Sequence, residues 1–222
     1  MIKAYVITIE TFPKSVRSAS RCIMSAADYG IEGVEMWKAT IPEDDPKKML
    51  KDRGIPAAGF TEVYSRPERC MSAFLSHHRL WEECAKENDD AYLIFEHDAV
   101  ITDELGVMPK MHSRTVPMLC SIGAPSYGKF HTPQKLGVNK LVSKQYLPGA
   151  HAYMLNGSAA KALIERAKID ASPTDVFIHN DRFDFLNEMY PYAAIAKDTF
   201  TTIQRKQGCL AKHSYGEKYE IL

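Results

Sequence analysis

Glu96, His97 and Asp98 close the five-residue apolar run Ala91-Tyr-Leu-Ile-Phe95. A run that short, bounded by polar residues, reads as a buried strand. Two carboxylates and an imidazole at the end of a core strand are costly to hold unless metal, charge or solvent answers them. In an open α/β sheet the ligand crevice lies outside the carboxyl ends of the strands, where these three residues would sit. Side chains two apart on a strand share a face, so Glu96 and Asp98 are expected to converge on one ligand. Hard oxygen donors of this kind suit Mg²⁺ or Mn²⁺ bound partly through the phosphates of a substrate.

The elements that must position these residues alternate between strand and helix. Residues 3–9 form a β-branched first strand, and a helix follows the turn at Pro13, with Val16, Ala19, Ile23, Ala26 and Ala27 at helical spacing. Residues 34–39 read as a second strand, 42–54 as a short helix closed by Gly54, and 55–67 as a loop. Residues 68–87 carry the clearest helical pattern: Cys70, Phe74, His77, Trp81 and Cys84 line one face. His77 lies within that face, as a core histidine bonded to a carbonyl or as a pocket residue, and His78 points elsewhere and is expected to be exposed. Further strands are expected at 118–122 and 149–155, the second holding His151. A turn and cap at 156–158 lead into a helix over 159–168. Residues 126–146 show no sustained period and read as a loop or a small antiparallel excursion. Asp175 stands at a helix start, where a helix cap is its ordinary role. From about residue 197 the tail is less regular. Strands alternating with helices imply an α/β fold, a single domain over 1–222 with a mixed, mostly parallel sheet.

Composition narrows the function. The 28 Lys and Arg balance the 28 Asp and Glu, so no bulk field draws nucleic acid or an anionic membrane. No apolar run is long enough to span a bilayer. Five cysteines without a Cys-x-x-Cys spacing fit a reducing, cytoplasmic setting. There is no Gly-x-Gly-x-x-Gly after the first strand and no Walker loop, which argues against conventional dinucleotide or P-loop chemistry.

Five motifs in order resemble glycosyltransferase family 25, the lipooligosaccharide and collagen-type galactosyltransferases. They are Tyr5-Val-Ile-Thr-Ile-Glu10 with Arg17; Glu68-Arg-Cys-Met-Ser-Ala-Phe-Leu-Ser-His77 with Leu80-Trp81; Leu93-Ile-Phe-Glu-His-Asp-Ala-Val100; Gly149-Ala-His-Ala-Tyr153 with Ala159, Ala160 and Leu163; and Pro173-Thr-Asp175 with Gln204. The chain departs from that pattern at His97, where the family carries Asp, at Arg69, where it carries Gly, and at Thr8, where it carries Asn. The resemblance implies a GT-A type nucleotide-sugar-binding fold, a UDP-hexose donor such as UDP-galactose, a divalent Mn²⁺ or Mg²⁺, and transfer with inversion to a saccharide or other hydroxyl acceptor. On it, Asp98 is the direct metal ligand, and Glu96 binds either the metal, directly or through water, or the donor's ribose. Asp175, with Asp181 behind it, is the base that takes the acceptor proton. Thr8, Glu10 and Arg17 meet the nucleotide, and His77 and His151 shape the donor pocket. Two other readings stand beside this one: a nucleotide-sugar- or carbohydrate-binding protein of the same fold without turnover, and a metal-dependent phosphoryl-transfer enzyme using the same carboxylates.

Overall fold

The computed structural model describes residues 1–61, 65–87, 90–103, 106, 116–126, 130–133, 135–148, 150–197, 200–205 and 219–222. Gly149, at the start of an expected strand, and most of the tail beyond residue 197 lie outside them.

Strand β1 (Ile2–Thr8) leads into helix α1 (Pro13–Asp28), which starts at a proline whose missing N–H would have had no partner in the first turn. Strand β2 (Val34–Lys38) follows, then a single 3₁₀ turn over Pro42–Asp44 and helix α2 (Pro46–Asp52), which Gly54 closes at a φ of 67°. Helix α3 (Pro67–Cys84) runs into β3 (Ala91–Glu96), a turn at 97–98 and β4 (Ala99–Ile101). Then come β5 (Leu119–Ser121), β6 (Gly137–Lys140), β7 (Ala152–Asn156), α4 (Gly157–Asp170), the short α5 (Thr174–Phe177), β8 (Leu186–Tyr190) and β9 (Ala194–Ala196). A last pair, β10 (Phe200–Thr201) and β11 (Glu220–Ile221), runs parallel.

Seven strands form one mixed sheet in the order β2-β1-β3-β7-β5-β8-β6. Five share a direction, while β7 and β6 run against their neighbours. Strand β3 lies between β1 and β7, with both of its faces covered. Ala91, Leu93 and Phe95 pack with Ala19, Cys22 and Ala26 of α1, and Tyr92 and Ile94 pack with Phe74 and Trp81 of α3 and Leu163 of α4. Double coverage explains why the sequence here is a continuous apolar run and not an alternation.

Of the two readings of 126–146, the antiparallel one holds at 137–140, where β6 pairs with β8 at the sheet edge. Other local expectations change. His78 is buried, 1% exposed, between the rings of Phe74 and Trp81, and not on the open side of α3. Asp175 is not the cap residue of its helix. Pro173 holds that position, and Asp175 lies in the first turn, where its Oδ1 accepts a hydrogen bond from the N–H of Val176. The turn after 156 caps as expected, with Asn156 Oδ1 accepting from the N–H of Ala159 at 3.0 Å. Among the described residues no helix is long and apolar enough to cross a membrane.

Candidate functional site

A cavity of about 320 Å³ opens where the chain leaves the carboxyl ends of β1, β2 and β3. Its volume lies within the ordinary range of small-molecule sites. Ile7, Ile9 and Phe12 line it from the exit of β1, Ala39 to Glu43 from the exit of β2, and Glu96 and His97 from the exit of β3. The first half of α3 forms another wall, presenting Arg69, Ser72, Ser76 and His77 at steps of three, four and one residues. Ser76 ties two walls together: its Oγ donates to Ser72 O at 2.8 Å and accepts from Thr40 N at 2.9 Å. Thr202, Ile203 and Leu222 close the remaining side. Arg69 Nη1 donates to the carbonyl of Thr202 at 2.7 Å, and Arg66 Nη1 to that of Leu222 at 2.6 Å.

Glu96 is the acid at the end of the buried strand, and its side chain is 31% exposed toward the cavity. Its Oε1 lies 3.1 Å from His77 Nε2, and His77 Nδ1 lies 2.9 Å from the Tyr153 hydroxyl. That hydroxyl in turn accepts from Trp81 Nε1 at 2.9 Å. Burial pushes the Glu96 carboxyl up, but the hydrogen bond from His77, with the electrostatic influence of His77, His151 and His97, outweighs it and holds the carboxyl below its ordinary value. Burial raises the Tyr153 phenol well above its ordinary value, so it keeps its proton.

The other residues singled out from sequence are distributed around this site. Thr8 is fully buried at the end of β1, where its hydroxyl donates to Val6 O at 3.0 Å, while its neighbours Ile7 and Ile9 face the cavity. Glu10 and Arg17 are exposed and outside the lining. His151 is buried behind the site, its ring against Gly123, and its carbonyl accepts from the N–H of Glu96 at 2.9 Å. Asp175 and Asp181 are not among the lining residues, and the Asp181 side chain is 83% exposed near His179. Glu96 and Asp98 do not meet on the cavity wall. The strand ends at Glu96, and the turn at 97–98 breaks the two-residue alternation on which convergence depended. Asp98 lies instead within electrostatic reach of the Cys22 thiol on the α1 side, and that thiol is pushed up to about 12, chiefly by burial.

The sequence marks Arg69 only as a departure from the family pattern and does not mark Phe12, Ser72 or Ser76 as site residues. For the α3 residues the signal was present: 69, 72, 76 and 77 form a stripe at helical spacing beside the apolar face. His97 does line the cavity. Its ring stacks on Phe200 with centroids 5.6 Å apart and planes 5° from parallel, and Phe200 meets Phe12 edge-on at 5.6 Å.

Among the described residues no three His, Cys, Asp or Glu side chains form a group able to hold a metal ion. The donor set on the wall therefore does not make a cage for a resident cation. It fits an ion that meets the protein through Glu96 and takes its remaining oxygens from a bound substrate.

The model of glycosyltransferase family 25, described as an LPS biosynthesis protein, matches residues 69–178. That segment holds Arg69, Ser72, Ser76, His77, Trp81, Glu96, His97, Asp98, His151, Tyr153 and Asp175. No curated protein matches the sequence. Among solved structures, a putative glucose-1-phosphate thymidylyltransferase from Bacillus anthracis, crystallised with a sucrose, is similar at 10% identity and a TM-score of 0.41, with 85% of this chain and 87% of that chain covered. The glycosyltransferase GlyE of Streptococcus pneumoniae TIGR4 is similar at 10% identity and a TM-score of 0.42, with 86% of this chain and 45% of that chain covered. At these scores neither likeness bears on the assignment. The matched segment 69–178, which contains the cavity wall from Arg69 to His97, is similar to glycosyltransferase family 25, and the chain is a glycosyltransferase.

Proposed function

We propose that the cavity is the donor site of a GT-A type hexosyltransferase. It takes a UDP-sugar, UDP-galactose in the first instance, and passes the hexose with inversion to a hydroxyl of a saccharide acceptor such as a lipopolysaccharide core. The observation that carries this reading is the ionised Glu96, held by His77 at the carboxyl end of β3, on the wall of a 320 Å³ cavity inside the family segment. Ile7, Ile9, Phe12 and Ile41 offer an apolar bed for a base, and the Arg69 guanidinium has the charge and fork to meet a diphosphate. Glu96 and a diphosphate repel each other, so a divalent Mn²⁺ or Mg²⁺ carried in with the donor would lie between them. When bound, such an ion neutralises charge on the departing diphosphate.

Inversion calls for a base on the acceptor side, and Asp175, outside the cavity wall, is the residue proposed for it. A cytoplasmic setting, expected from five cysteines without a Cys-x-x-Cys spacing, goes with this reading. A second reading, a nucleotide-sugar-binding protein without turnover, is favoured by His97, which packs flat on Phe200 where the family carries an acid. The deciding measurement is UDP release from UDP-galactose with Mn²⁺ over a panel of saccharide acceptors, for the wild type, Glu96→Ala, Asp98→Ala and Asp175→Asn. Turnover lost about a hundredfold or more in Glu96→Ala supports the transferase. Donor binding without UDP release from the wild type on any acceptor would establish the binding protein instead.

A further inference from the structure

The four groups Trp81, Tyr153, His77 and Glu96 form a hydrogen-bonded chain whose direction is set by its ends. The indole Nε1–H of Trp81 can only donate, and an ionised carboxylate can only accept. Trp81 therefore gives its proton to the Tyr153 hydroxyl at 2.9 Å, and that hydroxyl must send its own proton onward to His77 Nδ1, also at 2.9 Å. With Nδ1 accepting, the imidazole proton sits on Nε2, aimed at Glu96 Oε1 at 3.1 Å. An imidazolium would present a second donor to the tyrosine oxygen and leave the phenol proton without an acceptor. Trp81 and Tyr153 are fully buried and His77 is 1% exposed, so no solvent competes along the chain. The rings of His77 and Tyr153 stack with centroids 5.7 Å apart, which resists rotation of the imidazole.

We propose that Tyr153 is a positioning residue for the donor site: by fixing the His77 imidazole with its proton on Nε2, it commits Glu96 Oε1 to His77 and leaves the other carboxylate oxygen to meet the donor. The inference rests on the reading of the cavity as that donor site. It makes Glu96 a one-oxygen ligand with a set direction, held from behind by α3 and β7. Trp81 contributes only by fixing which way the tyrosine hydroxyl points. Outer partners of this kind are worth about ten- to a hundredfold in activity.

The test uses Tyr153→Phe, Trp81→Phe and the double variant. Tyr153→Phe alone leaves a buried indole N–H without an acceptor, so it lowers Tm as well as activity. The double variant removes the indole N–H together with the hydroxyl and leaves His77 Nδ1 unpaired, and Trp81→Phe alone reports what the smaller ring costs the fold. The double variant is expected to stay folded at assay temperature, with a Tm below wild type, while kcat for UDP-galactose falls about ten- to a hundredfold. Trp81→Phe alone keeps most of kcat, because the Tyr153–His77–Glu96 links survive it. In parallel, ¹⁵N NMR of the His77 ring in mildly alkaline buffer is expected to show the Nε2–H tautomer in the wild type and a mixture in the double variant. A double variant with wild-type kcat and KM, or an Nδ1–H tautomer in the active wild type, overturns the proposal. A wild type that binds no UDP-sugar overturns the donor-site reading instead, and the tautomer measurement, which needs no donor, tells the two failures apart.

Discussion

A methyl group on Gly123 would collide with the ring of His151. A Cβ built there falls 2.5 Å from Nε2, 2.9 Å from Cε1 and 3.0 Å from Cδ2. The ring is 2% exposed and has little room to retreat. His151 also contributes to the field that keeps Glu96 ionised, so its displacement reaches the cavity. Gly123→Ala is expected to lower Tm by about 5 °C, in line with the overpacking costs of small cores. It should also weaken UDP-galactose binding, while Gly33→Ala, where a Cβ meets nothing within 4 Å, perturbs only its own left-handed turn and leaves donor binding unchanged. Scanning fluorimetry and a donor titration on the two variants check both statements. The acid at 96 was legible from the sequence because a core strand ending in charge is a conspicuous cost. The contact that disciplines His97 was not, since Phe200 lies far along the chain and nothing local announces the stack.

Helix α3 shows how far an element can be read and where the reading stops. The 70-74-77-81-84 face placed a helix over 68–87 with His77 on its buried side, and the observed helix runs from Pro67, read as loop, to Cys84. The burial of His78 escaped because α3 is covered on more than one side, so its buried arc is wider than the apolar stripe. Among the described residues neither ring nitrogen of His78 has a hydrogen-bond partner, and Glu82 Oε1 is 3.6 Å from Nδ1. Burial, the largest influence, lowers the His78 imidazole from 6.5 to about 4 against the smaller opposing pull of Glu82. Between those two values the unfolded chain holds the extra proton and the folded chain does not. Stability is therefore complete above about 6.5 and is lost as pH falls toward 4, by about 3 kcal/mol for the full difference. Urea unfolding at a series of pH values should show this slope in the wild type and a shallower one in His78→Phe. Equal slopes would mean that His78 takes up its proton without unfolding. Strand β8 was not legible for a related reason. Its Glu188 is fully buried and answered by Ser143 and by Lys144, 3.1 Å away, partners more than forty residues distant. Burial pulls the Lys144 ammonium down from its ordinary value, with Glu188 opposing, so removing Glu188 strands a desolvated lysine. Glu188→Met is expected to cost about 3–5 kcal/mol, and Lys144→Met in the same chain to recover most of it. Denaturant melts of the single and double variants decide this.

For the whole molecule, the α/β sheet and a crevice at its carboxyl ends were legible while most of the cavity wall was not, because that wall is assembled from segments that share no local pattern. The exits of β1, β2 and β3, the first half of α3 and the residues around Thr202 and Leu222 all contribute walls. A site built across so much of the chain exists only when the chain is folded, so a ligand that occupies it must stabilise the folded state. UDP-galactose at a hundred times its dissociation constant should add about 2.7 kcal/mol, a rise in Tm of about 5–10 °C at this size. The cation behaves differently. The described residues hold no three-ligand group, and Glu96 already gives one oxygen to His77, so Mn²⁺ alone has too few protein donors to be held tightly. Mn²⁺ alone should leave Tm within about 1 °C, and Mn²⁺ with UDP should raise it more than UDP alone, because the diphosphate supplies the oxygens that the protein lacks. Glu96→Gln should remove that extra increment and keep most of the effect of UDP itself. A large shift with Mn²⁺ and no nucleotide would show a protein-held metal and overturn the assignment of Glu96 as the wall's contribution to a cation carried in with the donor.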